Sequence, residues 1–167
     1  MAVRPDPGLR AIALIEGEKV KGKIIFEQFR ANQPLKISGE VTGLTHGEHG
    51  MHIHEFGDLT SGCSSAGAHL NPHNKQHGGR EDEDRHLGDL GNIVANAQGV
   101  AKFNMEDKLM SLYGVHSILG RSLVVHADRD DLGKNRMDEK SRTTGNSGQR
   151  VGCSVIALAQ PEGWDKV

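Results

Sequence analysis

Apolar and polar residues alternate in several short segments of this 167-residue chain, and none of them carries the sustained apolar stripe of an amphipathic helix. Alternation with a period of two indicates strands that bury one face of a sheet. The pattern predicts eight strands, at residues 10–15, 23–29, 35–41, 50–56, 92–95, 100–105, 122–127 and 152–159. The turn at residues 96–99 predicts a hairpin between the fifth and sixth of them. Short strands joined by glycine-rich turns are typical of an antiparallel sandwich or barrel, so we expect an all-β fold.

Two long segments, residues 57–90 and residues 128–150, do not show this alternation. Both are rich in Gly, Asn, Ser and charged residues. Structureless loops of this length are uncommon in a compact domain and are usually either functional or disordered. The first loop contains four histidines, which a disordered spacer has no reason to collect. Because coordination bonds can replace hydrophobic contacts, we expect a loop ordered by metal.

The length, the net charge and the apolar content of the chain limit the kinds of protein that it can be. The length suits one domain over residues 1–167, with a core at about 9–160 and short terminal extensions. A formal net charge of -2 gives no global bias toward nucleic acid or membrane surfaces. Residues 1–10 lack the apolar run of a signal peptide, and no later stretch approaches a membrane span. We therefore expect a cytoplasmic protein without nucleic-acid or membrane partners.

Histidines on two predicted strands are candidates for metal ligands. His52 and His54 stand at i and i+2, so strand geometry points both imidazoles to the same face. An isolated pair of this kind fits an ordinary surface strand equally well. A third histidine, His126, ends another predicted strand beside the second long loop, and this position favours convergence on a common site.

The residue types predict two different metal sites. The first loop supplies three imidazole nitrogens and one carboxylate, from His69, His77, His86 and Asp89. Such a closed set suits zinc in a structural role. An all-imidazole set suits copper, which can cycle between two oxidation states, and would consist of His52, His54 and His126 with an added His69. The spacing permits His69 in either site and leaves its assignment open.

Seven segments of the chain carry a more specific signal. They are residues 50–58 (GMHIHEFGD), 68–72 (AHLNP), 77–79 (HGG), 85–92 (RHLGDLGN), 123–126 (LVVH), 131–133 (DLG) and 145–150 (GNSGQR). In their order and content they resemble the signature blocks of cytosolic-type copper, zinc superoxide dismutases. The resemblance covers about residues 9–160.

This resemblance implies an eight-stranded Greek-key sandwich or flattened barrel with two long functional loops. It implies copper bound by His52, His54, His69 and His126, and zinc bound by His69, His77, His86 and Asp89. His69 would then bridge the two metals. The implied reaction converts superoxide to molecular oxygen and hydrogen peroxide by alternate reduction and oxidation of the copper, and His69 delivers a proton to the product.

The resemblance also implies roles for residues around the metals. Arg150 would attract superoxide beside the copper, with Thr144 on the opposite wall of the entrance. Asp130 would link His52 to His77. Cys63 and Cys153, the only two cysteines, would form the family's intrasubunit disulfide, which persists in the cytosol as an exception.

Partners are implied as well. The family's dimers suggest a homodimer through apolar residues near the first strand, Gly57, the 119–120 segment and Leu158. A copper chaperone would load the metal.

The remaining histidines, His46, His49, His73 and His116, are expected not to be ligands, although His49 resembles a family histidine that braces its strand. The charged part of the second long loop, residues 128–143, departs from the family pattern. Thr143 stands where a lysine is usual and Asp128 where another is common, so steering of superoxide is either weaker or supplied by Lys140 and Arg142.

Two other functions fit a dismutase-like domain. A copper chaperone relies on additional cysteine motifs, whereas this chain has only two cysteines. A catalytically dead interaction module usually lacks a ligand or the arginine, and here the full set is present. Metal analysis together with a dismutation assay separates these alternatives.

Overall fold

A computed structural model describes residues 6–162 of the chain, so the outermost residues of both predicted terminal extensions lie outside the described part. The described residues contain ten strands, one short α-helix and one turn of 3₁₀-helix at Ser64–Ala66. The strands are β1 (Leu9–Glu16), β2 (Lys21–Gln28), β3 (Leu35–Thr42), β4 (Gly47–His54), β5 (Thr60–Cys63), β6 (Asp89–Ala95), β7 (Ala101–Asp107), β8 (Ser122–His126), β9 (Arg150–Val155) and β10 (Ala157–Ala159). The helix is α1 (Glu139–Thr143).

Eight of the strands form a nearly closed antiparallel barrel, which confirms the predicted all-β class. Their hydrogen-bonded order is β6-β4-β8-β9-β1-β2-β3-β7. The chain makes a meander of β1, β2 and β3 and then crosses to β4 on the other side of the barrel, which gives a Greek-key connection. The two ends of the path, β6 and β7, are consecutive in sequence, so the barrel comes close to closing on itself.

The predicted hairpin between β6 and β7 is wrong in one respect. A tight turn does join them, with the Asn96 amide donating to the Val100 carbonyl. Within residues 6–162, however, β6 pairs with β4 and β7 pairs with β3, and the two strands share no ladder. A local turn signal predicts where the chain reverses but not which strands pair.

The core confirms the alternation read from the sequence. Ala11, Ala13 and Ile15 of β1 are fully buried, whereas Leu14 between them is largely exposed. Phe26 of β2 has no exposed surface and is among the largest side chains of the core. Truncating such a residue to alanine typically costs about 3–5 kcal/mol of stability.

Three local features differ from the predicted segments. The last predicted strand is interrupted at Ile156, whose side chain is buried and whose amide donates to the Arg121 carbonyl. β5 and α1 lie inside the two long loops. Their four and five residues are too short for a periodic pattern to reveal.

The disulfide Cys63–Cys153 is formed, as the family resemblance implied, with a Cα–Cα distance of 5.7 Å. It ties the first long loop to β9 across 90 residues of sequence. In the chain-entropy model a loop of this size contributes at most about 4–5 kcal/mol to stability. Within residues 6–162, no helix has the length and apolarity that a membrane span requires.

Candidate metal centre

β4 and β8 bring three histidines together. His52 and His54 lie at the end of β4 and are almost completely buried. β8 pairs with β4 through Met51 and Val125, which puts His126 beside them. The pairing register shifts near His52 in β4 and again between Val125 and His126, and such irregularities commonly redirect side chains at functional sites.

His69 reaches the same place from the first long loop. Residues 68–70 run antiparallel to the end of β4, with the Leu70 amide donating to the Ile53 carbonyl and a bridge between His54 and His69. The rings of His52 and His69 are stacked at a centroid distance of 4.0 Å. One nitrogen from each of His52, His54, His69 and His126 lies within 4.8 Å of the others.

The free nitrogens of this cluster are those that a metal would need. His52 Nδ1, His54 Nε2 and His126 Nε2 are buried and have no hydrogen-bond partner among the described residues. Their other nitrogens are occupied: His52 Nε2 lies 2.6 Å from Asp130 Oδ2, His54 Nδ1 2.9 Å from the Gly67 carbonyl, and His126 Nδ1 3.2 Å from the Gly148 carbonyl. Buried unpaired polar atoms are costly, and an outer partner on each ring is the usual arrangement for ligating histidines.

A second set of ligand atoms surrounds Asp89. Its Oδ1 lies 2.9 Å from His77 Nδ1, 3.0 Å from His69 Nδ1 and 3.4 Å from His86 Nδ1. Its Oδ2 accepts from the backbone amides of Gly78 and His86, which fixes the carboxylate. The set has the three nitrogens and one oxygen that suit zinc.

Two further groupings involve neighbouring residues. His52 also lies within 4.8 Å of His69, His77 and Asp89, and His77 lies close to Asp130 and Asp131. His52 turns its Nε2 to Asp130, so its free nitrogen belongs to the all-imidazole cluster. The Nε2 of His77 also bonds Asp130, which leaves Nδ1 for the Asp89 cluster.

Asp130 joins the two clusters. Its buried carboxylate contacts His52 Nε2 at 2.6 Å and His77 Nε2 at 2.7 Å. The Asn92 side chain makes two hydrogen bonds to the backbone of Asp130. The sequence did not predict this role, although residue 92 ends one of the signature segments. Gly145 adopts a φ of +78°, and a Cβ there would overlap both Asp130 Oδ1 and His77 Nε2.

Burial and neighbouring charges separate the two clusters electrostatically. Burial, with repulsion from His69 and His126, lowers the pKa of His52 far below its ordinary value, and burial lowers that of His126 to about 4. These imidazoles are therefore neutral at pH 7, with a lone pair available. Burial also opposes the charged form of His77, but hydrogen bonds with Asp130 and Asp89 outweigh it and raise its pKa to about 9.

An open cleft of about 700 Å³ leads to the first cluster, and its walls include His54, His69, His126, Thr144 and Arg150. The Arg150 guanidinium donates to the Cys63 carbonyl at 2.8 Å and to the Gly67 carbonyl at 2.7 Å. Two backbone carbonyls next to the disulfide thus hold a cation at the cleft wall.

Comparison with known proteins agrees with this architecture. The family model described as copper/zinc superoxide dismutase (SODC) matches residues 20–156. The chain belongs to this family. A protein of Autographa californica nuclear polyhedrosis virus, which bears the name of a Cu-Zn superoxide dismutase, is 54% identical over 153 residues, covering 91% of this chain and all of the viral one.

Membership of the copper/zinc superoxide dismutase family confirms the resemblance drawn from the sequence. It makes the chain an oxidoreductase of the superoxide dismutase type with copper and zinc as cofactors. The unpaired imidazole nitrogens fit this requirement, since imidazole binds both metals well and only copper among the two is redox-active.

Both long loops of this dismutase contribute a further cation to the cleft. Arg142 of the second loop and Lys75 of the first line the same walls as Arg150. The Arg142 Nε is buried without a partner among the described side chains and backbone. Lys140, the other cation named from the sequence, is not among the cleft-lining residues of the described part.

The other histidines occupy distinct positions. His49 is buried and its Nδ1 contacts the His126 carbonyl at 2.9 Å, so it braces the strand that ends in a proposed ligand. His46 is exposed. His73 and His116, far apart in sequence, lie with their rings in contact.

Proposed function

We propose that this chain dismutates superoxide at a copper bound by His52, His54, His69 and His126. A zinc bound by His69, His77, His86 and Asp89 stands beside it, and His69 is shared. The convergence of three buried, unpartnered imidazole nitrogens on one point carries the proposal. When bound, copper supplies one-electron chemistry, accepting an electron from one superoxide and returning it to a second, while zinc has a structural role.

Arg150 is proposed to bind the superoxide anion. Its guanidinium is held by the Cys63 and Gly67 carbonyls and still borders the cleft. A fixed cation at the wall of a narrow cleft attracts a small anion and orients it by hydrogen bonding. Thr144, which also lines the cleft, is proposed as the opposite wall that limits the size of what enters.

His69 is proposed to carry the proton that completes hydrogen peroxide. Its Nδ1 lies 3.0 Å from Asp89 Oδ1, so Nε2 is the nitrogen left for the copper cluster and the substrate. Asp89 fixes the ring orientation through this contact. Asp130 is proposed to keep the two clusters in register, because it orients one histidine of each.

Arg142 and Lys75 are proposed to share the steering of superoxide that a lysine performs elsewhere in the family. Both border the cleft with Arg150, which gives three cations around one mouth. Attraction between a charged cleft and an anionic substrate raises the encounter rate and is weakened by salt.

The test combines metal analysis with a dismutation assay on the reconstituted protein. We expect one copper and one zinc per chain and rapid dismutation of superoxide. Arg150→Gln should lower the second-order rate about tenfold or more with metal content unchanged, and Arg150→Lys should recover part of it because charge returns without the planar fork. A protein that holds no redox-active copper, or dismutates no superoxide when loaded, would instead be an interaction module or a metal carrier.

A homodimer is proposed on the surface around Phe56 and Leu158. Both side chains are more than half exposed. Their regions are joined, since the Gly120 amide donates to the Ile156 carbonyl and Gly57 packs against the Gly120 carbonyl. Contiguous exposed apolar surface marks interaction sites.

Light scattering at low concentration tests this assembly. We expect a dimer for the native chain and a monomer for Phe56→Glu. Val94→Glu, on the exposed face of β6, is the matched control and should remain dimeric. A monomeric native chain would reject the proposal.

From the sequence we also propose a cytoplasmic location, a single domain and a copper chaperone as loading partner. Cell fractionation and limited proteolysis test the first two. Copper content of the protein expressed with and without a copper-loading partner tests the third.

A further inference from the structure

We propose that His73 and His116 form a second, surface-exposed metal site that takes one divalent transition-metal ion in addition to the buried copper and zinc. The two residues come from different loops, His73 from the first long loop and His116 from the segment between β7 and β8. Neither belongs to the clusters described above.

The two rings lie as close together as the rings of neighbouring histidines in the buried clusters. The ring centroids of His73 and His116 are 5.3 Å apart with an interplanar angle of 85°. His69 and His86, both in the proposed zinc set, have centroids 5.3 Å apart and an angle of 81°. Across the buried clusters the centroid distances run from 4.0 to 6.4 Å, so the surface pair lies well within that range.

Hydrogen-bonded turns fix the backbone beside both histidines. Asn71 clasps the turn that carries His73, because its side chain donates to the Lys75 carbonyl and accepts from the Lys75 amide. Next to His116, the Ser117 hydroxyl donates to the Leu112 carbonyl and the Ser117 amide donates to the Gly114 carbonyl. A preorganised pair loses little conformational entropy when an ion binds.

The ring nitrogens are available for coordination. In the described part of the chain, neither imidazole makes a hydrogen bond or an ion pair with another residue. His73 borders a surface depression of about 460 Å³ whose walls carry five carboxylates against four cationic side chains, so a cation meets no excess of positive charge.

The ligand class follows from the donors. Two imidazoles, one on the exposed His73 and one on the half-buried His116, suit Ni²⁺, Cu²⁺ or Zn²⁺, and water completes the coordination. Hard cations such as Mg²⁺ and Ca²⁺ prefer oxygen ligands and should not compete. With two protein ligands instead of four, the site should bind more weakly than the buried clusters.

Nickel is the most direct probe, because it can be counted separately from copper and zinc. The fully copper- and zinc-loaded protein is dialysed against graded Ni²⁺ in the presence of excess Mg²⁺, and all three transition metals are measured by mass spectrometry. We expect one nickel ion per chain, with copper and zinc retained. Loss of a direct ligand costs at least what loss of an outer partner costs, so His73→Gln and His116→Gln should each weaken nickel binding at least about tenfold.

His46→Gln supplies the matched control, since His46 is another exposed histidine outside the pair. It should bind nickel like the native chain. Unchanged melting temperature and dismutation rate in the His73 and His116 variants would establish that they fold and keep the buried centre. Nickel binding that survives in the double variant with both His73→Gln and His116→Gln would overturn the site. The same holds for nickel binding that falls equally in His46→Gln, and for a native chain that binds no third ion.

Discussion

The two long loops of this protein are built on different principles. The first, residues 57–90, lies along β4: the Ile53 amide donates to the Gly88 carbonyl, and the Leu70 amide donates back to the Ile53 carbonyl. It is fixed to β9 by the disulfide and contains the four proposed zinc ligands. The second, residues 128–150, closes on itself through polar contacts: Asn146 donates to Asp131 and Asp138, and the Ser141 hydroxyl donates to Asp131.

This difference separates two functions. The first loop contains the four proposed zinc ligands and the carbonyls that hold Arg150, so we expect it to set much of the geometry of the centre. The second loop presents Arg142 and Thr144 to the cleft, so we expect it to influence what approaches the centre. The loops meet where Asp130 bonds His77 and where the His77 amide donates to the Arg142 carbonyl.

Metal removal should distinguish the loops most strongly. A structural metal site contributes on the order of 10 kcal/mol to folding, so the metal-free protein should melt more than about 10 °C lower. Hydrogen exchange should accelerate chiefly in residues 69–90 and much less in residues 134–146. Equal acceleration in both loops would contradict the comparison. Re-addition of zinc alone, with protection restored in the first loop, is the control.

Breaking the disulfide should have the next largest effect. Cys63→Ser should destabilise the protein by up to about 4–5 kcal/mol and loosen the dimer, because it releases the first loop from β9. It should also lower the dismutation rate, since the Cys63 carbonyl holds Arg150. Calorimetry under oxidising and reducing conditions measures the first effect. An identical melting temperature in both conditions would exclude it.

Adjacent carboxylates allow a matched test of the connection between the loops. Asp130→Asn should weaken metal retention about 10- to 100-fold, because it disturbs a histidine in each cluster. Asp131→Asn should leave metal retention nearly unchanged, because Asp131 bonds Ser141 and Asn146 within the second loop. Competition with a chelator measures both. Similar metal loss in the two variants would argue against a specific linking role for Asp130.

The smallest expected effect is on the electrostatic attraction of superoxide to the cleft. Arg142→Gln should lower the dismutation rate about two- to threefold at low ionic strength and flatten its salt dependence, with copper and zinc unchanged. Lys134→Gln removes a charge from the same loop at a side chain that bonds Asp82, and neither residue lines the cleft, so this variant should retain the native rate. A native salt profile in Arg142→Gln would leave Arg150 and Lys75 as the steering cations.

The alternation of apolar and polar residues predicted most strands of the barrel but not the interruption within the last one. Alternation located the strands of the core, because each buries every second side chain against the same interior, as Ala11, Ala13 and Ile15 do. The interruption at Ile156 was missed because the alternation itself continues through it. Asn92 and Gly145 were missed as supports of Asp130, since their partners are distant in the chain and no periodicity marks them.

The sequence by itself determined the class of the fold and the set of groups available for metal binding. The i, i+2 spacing is enough to put His52 and His54 on one face of a strand. Only the tertiary structure decided which nitrogen of each ring is free. That choice depends on partners such as Asp130, 78 residues from His52, and the Gly148 carbonyl, 22 residues from His126. The tertiary structure also determined the orientation of His69, whose Nδ1 lies beside Asp89. A ring can bond only those acceptors that the folded chain brings within reach.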